Sequence, residues 1–147
     1  MSKFNALVKS IIQESSKKFE SAETDFNNVI QEVETSLKDV LEDFYFETDV
    51  IEDAIEGRYY RVQAVPLPND HFVGKVRIND FFIPSNGYPM TIGKYNPRSS
   101  DFSEEAKLNN KAEIEDIFEK MLSTPESRLV QTIGFALRRK NIDDIPF

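Results

Sequence analysis

Residues 4–44 carry apolar side chains at one steady interval, and neither glycine nor proline occurs anywhere in residues 1–56. Phe4, Val8, Ile11, Phe19, Ala22, Phe26, Ile30, Val33, Leu37, Leu41 and Phe44 recur about every 3.6 residues, the period of one helix face. They also fall on ladders about eleven residues apart: Val8, Phe19, Ile30 and Leu41 on one, and Ile11, Ala22, Val33 and Phe44 on another. That period favours a nearly straight or slightly right-handed helical pairing. Leu7, Val29 and Val40 widen the stripe.

The spacing predicts a continuous helix from residue 3 to about 46, roughly 65 Å long at 1.5 Å per residue. The weakest stretch is SAETDFNN, 21–28, which is poor in strong helix formers, yet the ladder passes through it without a change of phase. Such a helix outreaches a domain of this size. Either part of it pairs with another chain, or it folds back as a hairpin within one core. The stripe of Phe4, Val8, Ile11, Phe19, Phe26, Ile30, Val33, Leu37, Leu41 and Phe44 is therefore the candidate oligomer surface.

The end of this region is acidic as well as apolar. EDFYFETDVIEDAIEG, 42–57, holds seven carboxylates and no base. Read as a continuation of the helix, it would turn Phe44, Ile51 and Ile55 inward. Glu42, Asp43, Glu47, Asp49, Glu52, Asp53 and Glu56 would then form a partner-binding face. The net charge of −8 is unevenly placed. Residues 1–56 hold 14 acids against 5 bases, residues 57–100 hold 6 bases against 2 acids, and residues 101–147 hold 10 acids against 7 bases. Segments of opposite sign attract, within one chain or between copies of it.

Beyond Gly57, placed as the residue that ends the acidic helix, the pattern changes to that of strands. RYYRVQAV (58–65) is aromatic and β-branched, HFVGKVRI (71–78) alternates, and FFI and YPMTI follow, with PLPND and PSNG as turns. KYNPRSSDFSEE reads as a loop leading into a helix start. Helical spacing resumes at Ile114, Ile117, Phe118, Met121 and Leu122. After STPES, with Thr124 as cap and Pro125 in the first turn, it resumes again at Leu129, Val130, Ile133, Ala136 and Leu137. The expected class is α+β: a long N-terminal amphipathic helix, a small antiparallel sheet of three to four strands, and a C-terminal helical hairpin. The charge change divides the chain into a helical element, 1–56, and a small α+β domain, 57–147, within one structural unit.

Several kinds of chemistry lack their residues. Without cysteine there is no disulfide, thiolate nucleophile or thiolate metal site. No apolar run approaches the roughly 20 residues of a membrane span. MSKFNALVKSII lacks the long apolar core and small-residue cleavage site of a secretion signal, so the expected location is cytoplasmic. His71, the sole histidine, has no second histidine or cysteine with which to hold a transition metal. The glycines do not cluster into a phosphate-binding loop. No catalytic residue, metal ligand or cofactor is assigned.

Arg58, Arg61, Lys75, Arg77, Lys94 and Arg98 fall in the strand region among Tyr59, Tyr60, Phe72 and Tyr95. Strand alternation puts Tyr59, Arg61 and Gln63 on one face and pairs Lys75 with Arg77. A basic and aromatic sheet can stack bases and hold phosphates. It can equally be a solvated face, or receive the acidic stretch at 42–56. The leading expectation is a non-enzymatic protein-binding module that self-associates through its N-terminal helix, as an adaptor, assembly factor or inhibitor of the immunity or anti-defence type. Its partners would be itself and an unidentified protein, with no membrane. The alternative is a nucleic-acid or anionic-ligand binder using the sheet, which the −8 charge opposes.

Overall fold

A computed structural model describes residues 2–143, with side chains through 141. Its elements run α1 (Lys3–Leu37), β1 (Tyr45–Ala54), β2 (Gly57–Val65), β3 (Val76–Pro84), β4 (Met90–Asn96), β5 (Asp101–Leu108), α2 (Lys111–Ser123) and α3 (Arg128–Asp143). The strands form a five-stranded antiparallel meander in the order β1-β2-β3-β4-β5. The α+β class and its layout are as expected, with five strands rather than three or four.

α1 is unbroken through residues 21–28 and is capped by the Ser2 hydroxyl, which accepts from the Phe4 N–H at 3.1 Å. It stops at Leu37, not near 46. The chain then turns back through residues 38–44, and the Glu34 carboxylate accepts from the Phe46 N–H at 2.7 Å as β1 begins. Residues 45–54 are thus a strand, and the acidic helix expected at 42–56 is corrected. Two periods overlap here: Phe44, Phe46, Thr48 and Val50 alternate with period two, while Leu41 and Phe44 still keep the helical phase. Aromatic and β-branched side chains in YFETDVI favour the strand, and the long pairing with β2 decides it. A division at 56 would cut the β1–β2 hairpin, since Ala54 opposes Gly57.

Gly57 closes that hairpin instead of ending a helix. Its φ is +156°, and a Cβ there would stand 2.2 Å from the Ile83 carbonyl oxygen. Ile55 sits in the two-residue turn, 97% exposed rather than inward. Two further boundaries differ. β3 begins at Val76 rather than at His71, and runs without a break through Asn79 and Asp80 into FFI. KYNPRSSDFSEE is the end of β4, a turn and the start of β5, where a loop and helix start were expected. Asn110 caps α2 through its side chain, and Ser127, not Thr124, accepts from the α3 backbone at Val130. Apolar Ile142, Ile145 and Phe147 suggest that the tail NIDDIPF docks on the body; the Ile142 side chain and residues 144–147 lie outside the described residues.

The three helices cover one face of the sheet, and the core between them is built on phenylalanine. Phe26 of α1 packs against Phe81 of β3 with ring centroids 4.9 Å apart, and Phe81 stacks on Phe118 of α2 at 6.0 Å. Phe44 meets Phe46 edge-on at 5.0 Å, and Phe46 reaches Phe118. Met90, Ile92, Ile114 and Leu129 fill in around them. Stripe positions Phe26, Ile30, Leu37, Leu41 and Phe44 are buried here, with Phe19 and Val33 packed at the margin. This part of the candidate oligomer stripe is therefore covered by the chain's own sheet.

The opposite end of α1 is bare. Phe4 is 64% exposed and Ile11 63%, and Leu7, Val8 and Ile12 are exposed to a similar degree. α1 makes its last close approach to the body where Gly87 lies against the Lys18 carbonyl, with Ser15 reaching Ser85. Truncation should separate the two halves of the stripe. Phe26→Ala is expected to cost about 3–5 kcal/mol in denaturant unfolding. Phe4→Ala, at concentrations that keep the chain monomeric, should stay within about 0.5 kcal/mol. Equal effects would contradict the division.

Candidate functional site

The face of the sheet away from the helices gathers the charged and aromatic residues. Cross-strand register places Glu47 opposite Gln63, Asp49 opposite Arg61, and Glu52 opposite Tyr59. On the next pair, Tyr59 opposes Phe82, Arg61 opposes Asp80, and Gln63 opposes Arg77. Tyr59 is the hub of an aromatic cluster, with Tyr95 at 4.5 Å, Phe82 at 4.6 Å and Phe102 at 5.5 Å. Of the expected basic and aromatic residues, Tyr59, Arg61, Arg77 and Tyr95 share this face, whereas Tyr60 packs against Phe26 in the core and Phe72 lies in a separate depression.

Its charges are largely answered from within. Asp80 is fully buried and accepts from Arg61 through two contacts, Nε to Oδ1 at 3.0 Å and Nη2 to Oδ2 at 3.3 Å. Arg77 Nη2 also donates to Asp80, and the Tyr95 N–H reaches the same carboxylate at 2.8 Å. Both guanidinium groups then donate to the Tyr95 carbonyl, at 3.2 and 3.1 Å. One buried carboxylate thus ties β2, β3 and β4 together. A buried charge persists only when paired and fully hydrogen-bonded, as this one is.

The acidic strand meets the basic ones in the same way. Lys75 pairs with Glu47 at 2.8 Å, which raises the lysine above its ordinary value. Arg58 bridges Asp53 of β1 and Glu23 of α1, each at 3.1 Å, and lies over the Phe19 ring. Hydrogen bonding to Asp53, then to Tyr60, holds Arg58 above its ordinary value. Glu52 accepts from the Tyr95 hydroxyl, a bond that raises that phenol. Glu47, Glu52 and Asp53 are therefore engaged within the chain, as the opposing segment charges suggested, through a strand. Glu42, Asp43, Asp49 and Glu56 are exposed.

Of the six bases of the strand region, Arg58, Arg61, Lys75 and Arg77 are committed to carboxylates. Lys94 and Arg98 make no ion pair among the described residues. They line an open cleft at the turn between β4 and β5. His71 lies elsewhere, in a shallow depression with Leu67, Asp70, Phe72 and Arg139, where Arg139 donates to Asp70 at 2.9 Å. That bond holds Asp70 below the usual carboxylate range. Among the described residues, no three His, Cys, Asp or Glu side chains converge as metal ligands, and no helix is long and apolar enough to cross a membrane. Ile12, which completes the bare stripe, and buried Asp80 were not singled out in the sequence. Ile12 extends the helical spacing, whereas nothing local marks Asp80 as buried.

Comparison with protein-family models, with curated proteins and with solved structures gave no match. The functional reading therefore rests on the chain's own surfaces.

Two measurements follow from these ion pairs. Asp80→Asn leaves two guanidinium groups facing a neutral amide, and is expected to cost about 3 kcal/mol of unfolding free energy. Glu47→Gln, at an exposed pair, should cost at most about 1 kcal/mol. Tyr60, buried and donating to Glu23, is pushed from 10.0 up to about 12, burial being the larger cause. The fold keeps this phenol protonated where the unfolded chain would ionise it. Stability from that shift is whole below pH 10.0 and is lost as pH rises through about 12. Tyr60→Phe should flatten the alkaline decline in unfolding free energy. Tyr88, raised by burial and its bond to Asp25, leaves a residual slope. Identical slopes in parent and variant would refute the assignment.

Proposed function

We propose that this chain is a non-enzymatic protein-binding module that self-associates through the projecting turns of α1, serving as an adaptor, assembly factor or inhibitor. The observation that carries the reading is the exposure of Phe4, Leu7, Val8, Ile11 and Ile12 on the helix face that, further along, is buried as core. Single exposed apolar residues need no explanation, but a contiguous group on one face marks an interaction surface.

A second copy of the chain is the occupant that charge and geometry favour. Residues 2–18 hold four lysines and one glutamate, whereas the rest of the chain holds 14 bases against 25 acids. Each basic projection is attracted to the acidic body of another copy. In an antiparallel pairing about a two-fold axis, the two stripes cover each other. Lys3 and Lys9 are then carried toward the other copy's β1–β2 turn, where Asp53 and Glu56 lie. Burying both stripes would remove roughly 1,000 Å² from water, near the lower bound for a specific interface. A micromolar association is expected from an interface of that size. The exposed carboxylates Glu42, Asp43 and Asp49 would remain available for a different protein.

Light scattering on a sizing column tests the reading. The parent chain should show a concentration-dependent rise to twice the chain mass. Leu7→Lys with Ile11→Lys should stay monomeric with an unchanged far-ultraviolet spectrum. A parent that remains monomeric at several hundred micromolar would overturn self-association.

A further inference from the structure

The sheet has two ends, and the projecting helix leaves from the end that holds the β1–β2 and β3–β4 turns. At the other end, Arg77 opens β3, Lys94 lies on β4, and Arg98 sits in the turn where Asn96 opposes Asp101. These three bases line an open cleft of about 560 Å³ together with Tyr95, Ser99 and Ser103. Among the described residues, Asp101 is the one acid in its wall.

The turn that carries Arg98 is ordered by its own residues. Pro97 fixes one backbone angle, Ser100 adopts the left-handed region at φ +58°, and the Asn96 side chain accepts from the Arg98 N–H at 3.0 Å. Arg77 is anchored from behind. Its Nη2 is committed to Asp80 and the Tyr95 carbonyl, and its Nη1 has no acceptor among the described residues. Lys94 and Arg98 make no ion pair there either. In a chain with eight more acids than bases, most cations of the sheet have found carboxylates. Arg77 already shares the Asp80 carboxylate, so Lys94 and Arg98, set against Asp101, leave the lining of the cleft with a net positive charge that a compact anion would balance.

We propose that this cleft binds a tetrahedral oxyanion of the phosphoryl type. The guanidinium fork of Arg98 matches phosphate oxygens two at a time, Lys94 supplies a point charge, and Arg77 has Nη1 left to donate. The site suits one compact anion and not a polymer. Glu104 and Glu105 continue along β5 from the cleft, and the charge of the remaining body opposes an extended phosphate backbone.

The test is an amide-shift titration of the full chain at low ionic strength, with inorganic phosphate and with glycerol phosphate as probes. Parent protein should give saturable shifts centred on residues 96–103, at concentrations up to about 10 mM. Lys94→Gln with Arg98→Gln removes two exposed charges and should weaken binding at least about tenfold without lowering the melting temperature. Lys107→Gln with Lys120→Gln makes the same charge change at exposed positions outside both the cleft and the projecting helix, and should leave binding intact. Tighter binding of inorganic phosphate assigns the site to the free ion, and tighter binding of glycerol phosphate assigns it to a phosphorylated small molecule; either supports the cleft. Shifts that never saturate, that spread evenly over the lysines, or that fall equally in both variants would overturn it. Because cleft and projection stand at opposite ends of the sheet, monomeric behaviour of the parent leaves this result unaffected.

Discussion

The length of the strands decides how much of α1 the protein can cover. A nine-residue strand spans roughly 30 Å, and a helix segment of about nineteen residues has nearly the same length. α1 lies along the strands, with Glu34 meeting the start of β1 and Lys18 meeting the β3–β4 turn. The stretch between those points is core, and everything before it has no sheet beneath it. The apolar pattern does not change at that boundary. Whether a given stripe residue is core or open surface depends only on where the sheet stops.

Electrostatics organises the other face. β1 is an edge strand carrying Glu47, Asp49, Glu52 and Asp53, and charge on an edge discourages pairing with another sheet. The same carboxylates engage bases and a phenol on neighbouring strands, so one acidic segment both guards an edge and holds it in place. Beneath them, Asp80 sits fully buried between Arg61 and Arg77. That arrangement withdraws from solvent much of the positive charge that would otherwise make the sheet a nucleic-acid surface. What remains uncompensated, at Lys94 and Arg98, is local and concave.

The molecule therefore presents different chemistry at its two ends: an apolar, lysine-flanked helix at one, and a small basic cleft at the other. Between them lies a body of net negative charge. Neither feature is needed to complete the core. Phe26, Phe81 and Phe118 already do that.

Much of the fold was legible before any coordinates. The period of the stripe gave a long helix unbroken at 21–28, alternation gave β2, and the opposing charges of 42–56 and 57–100 anticipated the contacts of β1 with its neighbours. Residues 42–56 misled because Phe44 satisfies a period of 3.6 and a period of two at once, and the absence of glycine and proline removed the usual stop signal. The strand won through long-range hydrogen bonds to β2, which no window of sequence contains. β5 was hidden for the same reason: DFSEEAKL has the polar surface of an exposed edge, and pairing with β4 alone makes it a strand. The sequence by itself determined the apolar period, the separation of charge and the residue types available for chemistry, since these are properties of neighbours along the chain. Only the tertiary structure decided which apolar residues are covered, which charges are paired and which bases stay free. Burial and ion pairing depend on what lies across the sheet, and the sheet joins residues that are distant in sequence.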